Sequence, residues 1–461
     1  MKDYFYKKLS QFDYQEFHRT AYQLIPLWIA SVLVGMAAVL YAKGFLYVEE
    51  RSTEFFGYYP EAIFIVSPVA FLSSWFLVKQ FAPMAGGSGI PQVMAAVEME
   101  SQSDLSKQLL NLKVSVVKVL SSLIMLAGGG AIGREGPTIQ ISASIFSFIH
   151  HVLPKQWEKF SAQLMILTGA ASGLAAAFNT PLGGIVFAIE ELTRIQFSKF
   201  RTTLFVAVII SGMTAQAMLG PYLYLGFPKV QLPGYSFIVW VIAVACIAGF
   251  MGGLFGSLIL SIQQWKKTFT SARNHVLAIL IFSLAFASVY YFINHSVVGA
   301  GKDVIENLLF VNNKDVSFNL VVSRFVGPIL SFGSGGAGGI FAPSLSAGGS
   351  LGAFVSFIAH IPSEYTNVLI LAGMVGFLTG VTHSPFTSAI LVLEMTDRHS
   401  VIFYLMLAGM FAYLVAMLVD KKSVYEYLKE DYLKQLIPDY EETKKIKVNK
   451  PKENNDALPA D

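Results

Sequence analysis

Apolar runs, most of them near membrane-crossing length, recur along almost the whole chain, and that recurrence limits the fold more than any other feature. They span roughly Leu24–Tyr41, Ala62–Val78, Val114–Ile132, Leu164–Ile189, Leu204–Leu225, Phe237–Ile262, Val276–Ile293, Leu320–Phe332, Asn367–Val381 and Val401–Val419. A hydrocarbon core about 30 Å thick takes roughly 20 helical residues per crossing. Only 14% of the 461 residues are charged and 54% are hydrophobic, whereas a soluble domain carries about a quarter charged residues. The expectation is an all-α polytopic membrane protein. Several of the runs contain Gly or Pro at membrane depth, and such breaks are tolerated only where the freed backbone faces protein or a water-filled cavity. Tilted and broken helices of the transporter kind follow.

Charge excludes some functions. With 33 basic against 30 acidic residues the net charge is +3, no footprint for nucleic acid. The one cysteine, Cys246, lies in the apolar run Val241–Phe250, so neither a disulfide framework nor a thiolate metal site is expected. The eight histidines, the His150–His151 pair included, have no recurrent ligand spacing. No cofactor is expected. The N-terminal residues lack the pattern of a removable signal peptide. Lysines near both ends, including Lys421, Lys422, Lys444 and Lys445, favour both termini on the cytoplasmic side. Residues 1–21 are expected to be a cytoplasmic segment, 22–427 the membrane domain, and 428–461 a polar cytoplasmic tail, disordered from about Asp439.

Like motifs recur at nearly constant offsets. Gly87 and Gly89 match Gly299 and Gly301, 212 positions on. Gly133 to Pro137 matches Gly339 to Pro343 at 206, and Thr168-Gly169 through Pro181 to Glu190 matches Ala372-Gly373 through Pro385 to Glu394 at 204. The chain therefore reads as a duplication, with repeats of about 22–225 and 235–427. If antiparallel, the repeats would place a binding site at their interface near the midplane.

Three segments carry the chemistry: Gly87-Ser88-Gly89-Ile90-Pro91, Gly133-Arg134-Glu135-Gly136-Pro137 and Gly339-Ile340-Phe341-Ala342-Pro343. In each, glycine leads to a proline suited to the first turn of a helix. A helix start presents unpaired N–H groups and a partial positive charge, so several converging starts make an anion site without a full cationic charge. The competing reading is that the glycines serve only close helix packing. Ser88 adds a hydroxyl donor. Glu135 would compete with an anion for the same place, and its protonation would release that place, a direct route to coupling. An ion pair with Arg134 is the alternative, disfavoured because helix neighbours point about 100° apart.

Glu190 and Glu191 follow an apolar run. Glu190 aligns with Glu394 and is expected to cap or pair broken backbone in both halves. Glu191 aligns with Met395, and an unduplicated buried carboxylate is the better proton carrier. By the same alignment Glu135 faces Phe341. Lys118 is expected to be structural or to neutralise buried negative charge.

Taken together, the motifs, with Pro181-Leu182-Gly183-Gly184 leading to Glu190-Glu191 and Val392-Leu393-Glu394-Met395-Thr396, resemble the CLC family of chloride channels and proton/chloride antiporters over about Tyr22 to Tyr427. The resemblance implies an inverted-repeat fold, and a homodimer in the inner (plasma) membrane with one pathway per subunit. It also implies chloride coordination by the Ser88 hydroxyl, the amides of Ile340 and Phe341 and the Tyr425 hydroxyl, an external gate at Glu135 and internal proton transfer at Glu191. The short form suggests a prokaryotic member without CBS domains. Gln92 departs from the glutamate of many relatives. Exchange of chloride for protons is the expected activity, and a passive chloride channel, voltage-gated or not, is the alternative. A serine protease built on Ser172 and His383 is a weaker third reading.

Overall fold

The structure, a computed structural model, describes residues 14–99, 103–154, 160–192, 201–220, 223–231, 234–311, 314–438 and 440. The lysine-rich end and the expected disordered tail lie outside these residues, as does most of the N-terminal segment. Among the described residues there are helices and short turns, with β-pairing confined to isolated bridges. In chain order the helices are α1 Tyr14–Tyr58, α2 Ile63–Phe81, α3 Ile90–Glu98, α4 Ser103–Leu109, α5 Leu112–Ala127, α6 Glu135–Val152, α7 Ala162–Phe178, α8 Pro181–Phe187 and α9 Arg201–Leu219. The second half holds α10 Ile238–Lys267, α11 Ala272–Ser288, α12 Lys302–Phe310, α13 Phe318–Gly333, α14 Phe341–Ile358, α15 Ser363–Thr382, α16 Pro385–Thr396, α17 Ile402–Val419 and α18 Val424–Leu436.

Among the described residues nine helical stretches are long and apolar enough to cross a bilayer. Their outer faces carry large apolar side chains in the open, Leu40, Phe403 and Leu418 among them, as lipid contact requires. α15 is the innermost, buried along nearly its whole length between α10 and α14. Its close approach to α14 depends on Gly348 and Gly373, where an added Cβ on either would strike the other's carbonyl oxygen, the small-residue packing usual between membrane helices.

Helix limits differ from the apolar runs. The Leu24–Tyr41 run is only the middle of α1, which carries on through Lys43, Glu49 and Arg51 to Tyr58. Hydrophobicity marks where a helix meets lipid, not where its backbone ends. The single run Leu164–Ile189 is three pieces: α7 stops at Asn179 in the left-handed conformation, α8 restarts at Pro181, and a π-helical turn spans Ala188–Leu192.

The duplication is visible in hydrogen bonds. Glu394, at the end of α16, accepts from the amides of Leu182 and Gly183 at the start of α8, at 3.0 and 2.6 Å. Glu190 does the same for α16, accepting from Phe386 and Thr387 amides at 3.2 and 2.6 Å and from the Thr387 hydroxyl at 2.7 Å. Each repeat caps the other's short helix, so the expected shared structural role is the one these glutamates have. Bonds to a charged acceptor contribute about 1.5–3 kcal/mol. Glu190→Ala or Glu394→Ala is therefore expected to lose about 2 kcal/mol, read as lower resistance to unfolding in denaturing detergent; wild-type resistance in both would show the caps to be idle.

Candidate anion site and its carboxylates

The three glycine segments meet. The Gly87 amide donates to the Gly336 carbonyl at 2.9 Å and the Gly338 amide returns to Gly87 O at 3.1 Å, while Gly133 and Gly339 exchange N–H···O bonds of 2.7 and 2.8 Å. The starts of α3, α6 and α14 are thereby held in one backbone network. None of the three has a side-chain cap, although their first residues are buried. Their unpaired N–H groups and positive helix ends point into the interior. Ser88 lies against the start of α6 so closely that a Cβ on Gly136 would collide with its hydroxyl and its carbonyl.

Ser88 is 2% exposed and its hydroxyl is without a hydrogen-bond partner. Beside it lies the Tyr425 hydroxyl of α18, equally buried and equally unpaired. The Tyr425 ring stacks nearly parallel to that of Phe341, at 6.5 Å and 7°, and Ile340 is the N-cap of α14. The expected set of Ser88, Ile340, Phe341 and Tyr425 is therefore assembled in one place. Two buried hydroxyls left without partners cost free energy unless something else fills the space between them.

Ser88 also opens on a cavity of about 690 Å³, lined by Gly87, Gln92, Lys267, Tyr432 and Lys434 among others. Gln92 donates to the carbonyl of Gly86 at 2.7 Å and to the Tyr432 hydroxyl at 3.0 Å, tying the first break to α18. Lys118 is fully buried, and its ammonium donates to the carbonyls of Gly87 and Gly86 at 2.9 and 3.4 Å. Its role is structural, and its partners are peptide oxygens rather than buried acids.

Glu135 begins α6, fully buried, with its carboxylate against its own amide and that of Ala342 at the start of α14. Arg134 turns away and donates to Ala42 O at 3.1 Å, so no Arg134–Glu135 ion pair forms. The Tyr224 hydroxyl donates to Glu135 Oε1 at 3.4 Å. Its ring meets Phe178 edge to face at 4.9 Å, with the charged ends of Lys302 and Arg134 at 5.3 and 5.9 Å. Sequence reasoning passed over Tyr224, one of several aromatics near the end of the first repeat, which belongs to no motif.

Glu191 sits in the π-helical turn, which separates it from Glu190: one carboxylate caps α16, and the other accepts a hydrogen bond from the Ser384 hydroxyl. A second cavity, about 430 Å³, opens on Glu191 and is lined by Glu98, His383, Ser384, Glu426 and Lys429 among others. α18 contributes Glu426 and Lys429 to this cavity, and Leu428, Asp431 and Tyr432 to the one at Ser88. Ser384 was also missed; the serine–proline pair at the start of α16 aligns with Thr180-Pro181 at the start of α8, which was the available signal.

Ser172 is buried inside α7, while His383 ends α15, packs edge-on against Tyr413 at 5.8 Å, and makes no bond to Ser172. The protease reading is thereby overturned, since a nucleophile needs its base within hydrogen-bond reach. Among the described residues no group of three or more His, Cys, Asp or Glu is placed to hold a metal ion.

Comparison with known proteins agrees with this architecture. A slow cyanobacterial Cl⁻/H⁺ antiporter is similar at 22% identity with a TM-score of 0.77, over 89% of this chain and 98% of that one. A CLC-type fluoride/proton antiporter gives 21% and 0.75, over 91% and 99%. A eukaryotic CLC transporter gives 19% and 0.71, over 89% and 74%. At these identities the likeness establishes the fold. The family model for the voltage gated chloride channel matches residues 69–417, most of the chain, and with the inverted-repeat helical fold it shows that this integral, multi-pass membrane protein belongs to the CLC family.

Proposed function

We propose that the protein exchanges chloride for protons, with Glu135 as the outer gate and proton acceptor and Glu191 as the inner proton-transfer residue. The observation that carries this reading is the place of the Glu135 carboxylate: it lies against the amides of Glu135 and Ala342, where the starts of α6 and α14 meet, and its charge bears on Tyr425, whose hydroxyl, like that of Ser88, is unpaired. A chloride in the Ser88–Tyr425 space would accept from both hydroxyls and from the Ile340 and Phe341 amides. A chloride moving further would meet the carboxylate at the next amides. Anion and ionised carboxylate exclude one another there, and a proton on Glu135 removes the conflict. Two separate cavities, one at Ser88 and one at Glu191, suit two ions that share the outer part of a route and part company on the side of α18.

The same reading puts both termini on the cytoplasmic side of the plasma (inner) membrane and pairs two copies as a homodimer, each with its own pathway. Leu182 and Phe386, 54% and 51% exposed at the mutually capped starts of α8 and α16, provide an apolar face for that pairing. Two of the similar structures are described as Cl⁻/H⁺ and fluoride/proton antiporters, so fluoride is the anion to compare with chloride.

In sealed liposomes an outward chloride gradient is expected to drive protons inward without an added proton gradient. Chloride flux that follows its own equilibrium potential, with no proton movement, would make the protein a passive channel instead. Glu135→Gln is expected to keep chloride flux, lose proton flux and lose pH dependence, because the gate is held in its neutral form. Glu191→Gln is expected to stop protons while chloride continues; unchanged coupling in either variant would remove that residue from the pathway.

Tyr224 gives a separate expectation. Its hydroxyl is a donor to the closed gate, so Tyr224→Phe takes about 1 kcal/mol from that state. Chloride turnover is then expected to rise about 5-fold at neutral pH, with proton coupling retained, when both fluxes are measured together. An unchanged rate would mean that the hydroxyl is not part of the gate.

A further inference from the structure

The duplication places a second glycine break opposite the first, and the two differ in one informative way. Gly299 and Gly301 have φ of +71° and +85°, as Gly87 and Gly89 have +64° and +110°, and each pair leads into a nine-residue helix, α12 and α3. The Gly299 amide donates to Gly129 O at 3.3 Å, just as that of Gly87 donates to Gly336 O. Arg324 stands 206 positions after Lys118, the offset of the second motif. Both are fully buried, and both donate to the carbonyls of their own glycine break: Arg324 reaches Gly299 O at 3.3 Å and Ser296 O at 3.1 Å. Gln140 closes on Gly89 in the first repeat. Ser346, again 206 positions on, closes on Gly301 together with the Arg324 guanidinium, the longer cation occupying room that the shorter side chain leaves.

At the first break the helix start is uncapped and faces the unpaired Ser88 hydroxyl. At the second, Ala300 replaces the serine, and its amide donates to Glu49 Oε1 of α1 at 2.6 Å. Glu49 is partly buried. The groups whose charges face it are Arg134, Arg324 and Asp303. Arg324 makes no ion pair within 4 Å among the described residues, its Nε is unpartnered, and the Ser346 hydroxyl beside Gly301 is unpartnered and fully buried too. Glu49 is the acid whose charge bears on this guanidinium. A wholly buried cation deprived of its counter-charge draws another anion.

We propose that the start of α12 is a second small-anion seat, occupied here by the Glu49 carboxylate, and that a halide takes this seat when Glu49 is removed or neutralised. The seat is an equilibrium binding site and does not depend on the exchange reading above. The chemistry that recognises the ligand is one backbone amide, one helix N-terminus and a neighbouring guanidinium, which fits a monatomic anion.

Crystals of the full-length Glu49→Ala protein soaked in bromide are expected to show an anomalous peak within hydrogen-bond reach of the Ala300 amide, and wild-type crystals none. A folded Glu49→Ala structure without that peak overturns the proposal, as does an equal peak in wild type with the carboxylate still in place. Bromide at Ser88 is a separate position and bears on neither outcome. Should Glu49→Ala not fold, Glu49→Gln supplies the reading: its melting temperature in detergent should climb more steeply with chloride than that of wild type. Parallel slopes would likewise overturn it.

Discussion

Peptide groups freed by broken helices inside a membrane must find partners, and the rest of this structure follows from how they do so. Hydrocarbon provides none, and each group left bare costs several kcal/mol. The chain answers with buried charges used as caps. Lys118 and Arg324 take carbonyls at the two glycine breaks, and Glu190 and Glu394 take amides at the two short helices that begin with proline. All four lie at positions related by the duplication. Ionisable residues in membrane helices are rare because they are costly, and here their charge is spent on backbone that would otherwise forbid the breaks.

Against that background the helix starts that meet at the glycine segments stand apart. The N-cap side chain closes the start of α5 (Asn111), α7 (Ser161), α11 (Ser271), α13 (Ser317) and α18 (Ser423), and Glu394 and Glu190 close α8 and α16 from a distance. The starts of α3, α6 and α14 are among those with no N-cap side-chain bond, and these three are buried and meet. A buried helix end with no partner from its own chain is a place kept for something else. The unpaired hydroxyls of Ser88 and Tyr425 are in the same position. The one side chain that does reach such an end is Glu135, an acid, which is the sort of group that an anion can displace and a proton can neutralise.

Much of this was legible in the sequence because the duplication served as an internal control. Comparing halves separated Glu190, which has a twin and caps a helix, from Glu191, which has none and faces a cavity. Glycine–proline spacing placed the three helix starts within a residue or two. What could not be read was whatever depends on the chain folding back on itself. Tyr224 and Ser384 matter through single hydroxyls that touch acids 89 and 193 positions away, and no local pattern encodes such contacts. Arg324 was hidden for another reason: its kinship with Lys118 lies in offset and in what it binds, while the residue types and their neighbours differ. The ends of α1 could not be read from the Leu24–Tyr41 run, because apolarity reports the lipid contact and stops short of the polar turns beyond it.

The two halves are most alike in backbone and least alike in where they place negative charge, and that contrast gives the molecule a direction. Glu135 and Phe341 are equivalent positions at facing helix starts, yet only one is an acid. Ser88 and Ala300 are equivalent too; one leaves its helix start open toward a cavity, and the other has its amide covered by Glu49. A perfectly symmetric duplication would offer an anion the same binding on either side of the midplane and the same response to protons. Putting a carboxylate at one helix start and an aromatic ring at its partner makes the two approaches to the centre chemically different, while the shared caps keep the scaffold that holds them unchanged. Direction in this fold thus resides in a few side chains at duplicated positions and not in the path of the backbone.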